Sequence, residues 1–276
     1  MSRPHEMKST KICALFLFSL FFLALAAGVA SAQEADGSDL ARKTQNPVSD
    51  LISLPFQNNT NFGIGPDDKT QNILNIQPVW PFSISEELNL ITRTIVPVIS
   101  QPGLAPGQDR TFGLGDTTFT AFISPKESGK LTWGAGPVFL LPTATDDVLG
   151  SDKWGLGASA VLLTIRGPWV VGSLFSNVWS VAGSGNDDVN LFTWQYFINY
   201  NLSKGLYLTS APIITANWEA DSDNRWTIPF GGGIGKIFHI GKQPLNGQIS
   251  AYYNVEKPDT GADWQLRLQL QFLFPK

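Results

Sequence analysis

The sequence predicts an all-β protein, a transmembrane antiparallel β-barrel of about twelve strands. Three observations carry that reading. In residues 263–274, Trp264, Leu266, Leu268, Leu270, Phe272 and Phe274 alternate with Asp263, Gln265, Arg267, Gln269 and Gln271 up to residue 271. A period of two means a strand with one apolar and one polar face. About ten such residues are enough to cross a bilayer as a tilted strand. The connections between strand-like segments alternate between longer and shorter. The tryptophans gather toward strand ends.

The chain opens with a leader. Lys8 and Lys11 precede an apolar run from Ile12 to Val29, which ends in Ala30-Ser31-Ala32 before Gln33. A basic start, a short apolar core and a small-x-small site describe a cleaved signal peptide over 1–32. The run is marginally long enough for a membrane anchor, but its cleavage-like end favours the signal. Cys13 is the only cysteine and does not stand at the cleavage point, so a lipoprotein anchor is not expected. The mature chain then has no disulfide and no thiolate metal site. It keeps 16 of the 19 basic and 22 of the 23 acidic residues, a net charge of about −6, which argues against nucleic acid as a partner.

Residues 33–50 are polar without a clear period and are expected to form a flexible periplasmic lead-in. The barrel is expected over 51–276. Its strands are placed at about 51–64, 72–84, 87–99, 111–124, 130–141, 154–166, 168–181, 190–202, 205–218, 225–238, 245–256 and 263–274. The longer connections are then 65–71, 100–110, 142–153, 182–189, 219–224 and 257–262. The shorter ones are 85–86, 125–129, 167, 203–204 and 240–244. Outer-membrane barrels have long external loops, short periplasmic turns and, with an even strand number, both termini in the periplasm. Closure is required because an open edge in lipid leaves backbone groups without partners.

Several strands repeat the alternation of the last. Phe192, Trp194, Tyr196, Ile198 and Tyr200 alternate with Thr193, Gln195, Phe197 and Asn199. Ile249, Ala251, Tyr253 and Val255 alternate with Gln248, Ser250, Tyr252 and Asn254. The segments 111–124 and 168–181 are ambiguous. On this topology Trp80, Trp133 and Trp169 lie toward the periplasmic ends. Trp154, Trp179, Trp194, Trp218, Trp226 and Trp264 lie toward the outer ends. Two aromatic belts are what a bilayer's interfaces favour.

Three segments carry a family resemblance: Gly113–Lys126 (GLGDTTFTAFISPK), Trp133–Asp147 (WGAGPVFLLPTATDD) continuing to Lys153–Gly157, and Tyr253–Trp264 (YNVEKPDTGADW) leading into Phe272–Lys276. Over about 44–276 the chain resembles a family of Gram-negative outer-membrane proteins called transporters, or neuromedin U-like, related to barrels of phenol-degradation operons. The resemblance implies a barrel in a bacterial outer membrane. It supplies no substrate and no catalytic residue. Many outer-membrane proteins end on an aromatic residue, whereas this chain ends Phe274-Pro275-Lys276. The expected partners are outer-membrane lipids, lipopolysaccharide, the barrel-assembly machinery and a small solute.

Signals for chemistry are weak. The mature chain has one histidine, His239, expected beside a periplasmic turn, the wrong side for a Ser-His lipid hydrolase. No catalytic residue, cofactor or metal ligand is assigned. Asp67-Asp68, Asp146-Asp147-Asp152, Asp187-Asp188, Asp221-Asp223 and Asp259-Asp263 fall in or near external loops. They read either as solvated loop acids or as a rim that binds divalent cations bridging lipopolysaccharide or favours cationic solutes. Gly231–Gly233 and Gly235 lack the Lys-Ser/Thr of a phosphate loop and mark a bend or bulge.

Charges within strands avoid lipid, where Arg or Lys costs about 2–4 kcal/mol at the midplane. Arg93, Asp116 and Arg267 are therefore expected to face the lumen, with Gln195, Gln265 and Gln269. Arg93 and Asp116 are expected to pair, either selecting solutes or bracing a polar interior. The leading functional expectation is passive transport of small solutes, hydrophobic or aromatic ones among them. The alternative is a non-conducting structural or partner-binding barrel, since Phe197, Tyr207 and Tyr252 point inward and can fill a narrow lumen. A lipid-modifying enzyme ranks third.

Overall fold

The computed structural model describes residues 34–275, apart from 106, 128 and 186. The expected leader over 1–32 lies outside the described residues. Where the sequence predicts a flexible lead-in, Glu34–Thr44 form a helix, α1. Strands follow as β1 (Ile52–Ile64), β2 (Lys69–Ile76), β3 (Val79–Ser83), β4 (Leu88–Gln101), β5 (Thr111–Leu114), β6 (Thr117–Pro125), β7 (Thr132–Leu141), β8 (Lys153–Arg166), β9 (Trp169–Gly183), β10 (Asn190–Asn201), β11 (Leu206–Ser210), β12 (Ile213–Asn217), β13 (Trp226–Ile240), β14 (Gln243–Glu256) and β15 (Trp264–Phe274).

Fifteen segments make twelve staves. β2 and β3 keep one register against β4, with Asn72 opposite Ser100 and Val79 opposite Arg93. Pro78, which has no N–H to donate, interrupts only the ladder. Pro212 parts β11 from β12 in the same way, and both halves pair with β10. β5 and β6 differ in kind. Val98 faces Leu114 but Ile95 faces Thr118, so the register slips by one residue at Gly115-Asp116. Such a slip is a bulge that re-aims the side chains beyond it.

All neighbours pair antiparallel in chain order, and β15 closes on β1 with Phe56 opposite Leu270, Gln57 opposite Gln269 and Asn59 opposite Arg267. The result is a closed twelve-stave barrel. The expected loop alternation holds with one exception. The first external connection shrinks to 65–68, no longer than the turn at 84–87, because β2 begins at Lys69.

The barrel is apolar outside. Leu266, Leu268, Leu270 and Phe272 share the outward face of β15 with Leu245 and Ile249 of β14. Phe112 and Phe230 are 74% and 68% exposed. A water-soluble monomer rarely shows so continuous an apolar surface; a bilayer requires one. The registers put all nine tryptophans on this face. Trp80, Trp133 and Trp169 stand at the end bearing both termini, and Trp154, Trp179, Trp218, Trp226 and Trp264 toward the opposite end, while Trp194, expected there too, lies nearer the middle, opposite Phe175 and Ile214. Trp218 and Trp226 meet edge to face at 5.6 Å, a favoured aromatic geometry.

Candidate functional site

Inward-facing positions divide the lumen into two unlike walls. On one side Ile91, Phe122, Val161, Leu163, Val170, Leu174 and Phe197 form an apolar cluster, into which Val48 inserts. The staves β14, β15, β1 and β2 supply the other side, a lattice of amides. Gln265 donates to Asn61 (3.0 Å) and Asn61 to Gln71 (2.7 Å). Asn246 donates to Gln271 (3.2 Å) and accepts from the Tyr207 hydroxyl (2.8 Å).

The N-terminal segment closes the end that carries the termini. Leu40 and Ala41 of α1 are buried with Leu51 against Tyr207, Ile237 and Leu273, all inward-facing. One hydrophobic pair suffices to hold this helix against the barrel, since packing rather than propensity stabilises most helices. Arg42 donates to the Gly167 carbonyl (3.1 Å). Gln45 and Asn201 exchange two hydrogen bonds of 2.9 and 3.0 Å. The segment is thereby tied to two turns of the barrel.

Between this plug and the barrel wall lies a cavity of about 160 Å³. Arg93, Gln195, Arg267 and Gln269, four of the six candidate lumen residues, line it. Arg267 on β15 reaches across the lumen. Its Nε donates to Asn59 (3.0 Å), Nη2 to Gln265 (3.0 Å) and Nη1 to the Ala211 carbonyl (2.9 Å). That carbonyl precedes Pro212 at the break between β11 and β12, and it also accepts from Gln195 (3.3 Å). The break thus gives the arginine an acceptor that an unbroken ladder would consume. The guanidinium lies 4.9 Å from the Tyr252 ring centre, within cation–π range. Gln265 does not line the cavity; it stands one layer nearer the outer mouth, bonded to Asn61 and Arg267.

The expected pairing of Arg93 with Asp116 does not occur. Arg93 faces Thr120 across the ladder and donates to Gln77 (2.6 Å). Asp116 sits in the bulge between β5 and β6, toward the outer end. It accepts from the backbone and hydroxyl of Ser151 (2.7 and 2.8 Å) and from the Ala144 N–H (3.2 Å). It fastens the connection after β7 rather than lining the cavity. Gln77 is not among the candidate residues, although it alternates with Ile76 and Pro78 on the polar face of its strand; Gln45 and Val48 carry no such signal.

No family model and no curated protein matches the sequence. Among solved structures, the chain is similar to the COG4313 outer membrane channel from Pseudomonas putida F1, with a TM-score of 0.62 and 19% identity over 81% of this chain and 94% of that one. Looser similarities are to outer membrane phospholipase A from Escherichia coli (TM-score 0.45, 14% identity, 87% of this chain and 98% of that one) and to the CymD monoaromatic hydrocarbon channel (TM-score 0.45, 10% identity, 91% and 95%). The first match shares the fold, and the apolar exterior with its aromatic ends supplies the physical reason for its location: this chain is an outer-membrane β-barrel.

Proposed function

We propose that the barrel is a passive channel for small solutes, hydrophobic or aromatic ones among them, closed at rest by its own N-terminal segment. The observation that carries this reading is the cavity itself. It is bounded by an amide-rich wall, which the apolar cluster joins only through Phe197, and by a plug that is held through few bonds. A lumen meant only to brace the wall gains nothing from an unfilled space, because tight packing is the more stable arrangement. The similar protein from P. putida is named a channel, which agrees. The test is single-channel recording of the full mature chain in planar bilayers, together with swelling of liposomes in small solutes. Discrete conductance steps with solute entry support the proposal; a silent, impermeable barrel overturns it.

One observation favours the non-conducting alternative. Val48, Leu40 and Ala41 fill the terminal end as a core does. Release of the plug separates the two readings. No catalysis is proposed. His239 is the next-to-last residue of β13, at the end bearing both termini, remote from the outer leaflet where a lipid substrate would lie.

A further inference from the structure

The charges around the cavity do not balance. Its wall carries three cations, Lys43, Arg93 and Arg267, and no aspartate or glutamate. Among the described residues no ion pair engages either arginine. Arg267 meets only neutral oxygens, and Arg93 gives its hydrogen bond to the neutral Gln77. The acids of the described chain lie elsewhere, in connections, at strand ends or on α1. Charge set inside a membrane-spanning wall is costly and is kept next to a partner or where it serves a solute path.

We infer that this cavity binds a small organic carboxylate of about single-ring size, held by Arg93 and Arg267. The inference rests on the channel reading above and names the solute class that the lumen recognises. Guanidinium groups present planar N–H forks that match a carboxylate. Gln195 and Gln269 add amides at the same wall, and Phe197 and Tyr207 add ring surfaces. The volume of about 160 Å³ suits one ring, since cavities of roughly 150 Å³ accept benzene. A neutral aromatic would occupy the space but leave both arginines without a counter-charge. Chloride would answer the charge but leave the ring surfaces unused.

The experiment is calorimetric titration of the full mature chain in detergent with benzoate, benzyl alcohol and chloride. Benzoate is expected to bind saturably. Benzyl alcohol and chloride are each expected to bind at least about tenfold more weakly, because one lacks the charge and the other the ring. Arg93→Gln keeps a polar partner for Gln77 and should weaken benzoate at least about tenfold. Arg267→Gln should do so too, and Lys126→Gln, in an exposed turn, should change nothing. If Arg267→Gln fails to fold by heat-modifiable migration, Arg93→Gln decides alone. Benzyl alcohol or chloride binding as tightly as benzoate, benzoate unaffected by Arg93→Gln, or no benzoate binding at all overturns the inference. Conductance keeps the two proposals apart. A silent barrel that still binds benzoate through Arg93 refutes the channel but keeps the site. A conducting barrel that ignores benzoate refutes the site but keeps the channel.

Discussion

The guanidinium of Arg267 lies over the ring of Tyr252, on the adjacent strand, and the hydroxyl of that tyrosine is buried with no hydrogen-bond partner. The two facts have opposite signs. The ring stabilises the cation, by about 0.5–2 kcal/mol, while a buried hydroxyl without a partner costs about 1–3 kcal/mol. Tyr252→Phe should therefore leave the barrel as stable or make it more so, and Tyr252→Leu should lower its stability. Unfolding in urea, followed by heat-modifiable migration on gels, reads both. A Phe variant clearly weaker than wild type would show that the hydroxyl has a partner.

Leu268 and Gln269 stand side by side in mid-β15 on opposite faces. Leu268 lies between Ile249 and Asn58 on the outside, and Gln269 lines the cavity. Leu268→Arg should cost about 2–4 kcal/mol and impair assembly, because it sets a charge in lipid near the midplane. Gln269→Arg should assemble normally. Equal yields of folded barrel from the two variants would mean that the faces are exchanged.

The staves were legible because period-two alternation persists over ten or more residues and leaves little choice of face. The alternation predicts the last strand over 263–274, and it runs Trp264–Phe274. The inward positions of Phe197, Tyr207 and Tyr252 followed from the same count. What was not legible depends on contacts distant in sequence. Helix α1 has only Leu40 and Ala41 to bury, too few to show a period, and is set by the lumen it enters. The Arg93–Asp116 pairing failed for a narrower reason. Their strands are neighbours, as expected, but the two residues stand at different heights: Arg93 lies opposite Thr120, four residues beyond Asp116, and the bulge at Gly115-Asp116 turns the aspartate toward Ser151.

That relocation gives Asp116 a different consequence from the one its strand position suggests. Asp116→Ala removes the acceptor of three donors in the 144–151 connection. Bonds to a charged acceptor contribute about 1.5–3 kcal/mol each at most, and exposure lowers that share. The connection should become protease-sensitive on intact cells, while reversal potentials under a salt gradient stay at the wild-type value. A shift toward anions would put the carboxylate on the solute path after all.

Orientation can be tested with protease tags. With both termini periplasmic, the 184–189 connection faces outward, and a tag at Asp187 should be cut on intact cells. Lys204 is a poor site for the opposite tag, since its turn packs on α1 near Gly37 and Gly205. Glu127, exposed in the 126–131 turn, serves better. It should be cut only after the outer membrane is permeabilised. Surface cleavage at Glu127 would invert the barrel.

The plug offers the sharpest test of a closed channel. Two connections tie it to the wall: Arg42 to the Gly167 carbonyl, and Gln45 to Asn201. Val48 adds an apolar anchor among Ile91, Phe122 and Phe197. Val48→Asp places a charge in that cluster, where an unpaired carboxylate is costly, so the segment should leave the lumen while the closed wall of strands stays intact. Arg42→Ala with Gln45→Ala should loosen it less. Conductance in planar bilayers should then rise in the order wild type, double alanine variant, Val48→Asp, with heat-modifiable migration retained. If Val48→Asp assembles yet conducts no more than wild type, the constriction lies in the wall itself. The segment would then be a structural core element, and the non-conducting reading would gain what the channel reading loses.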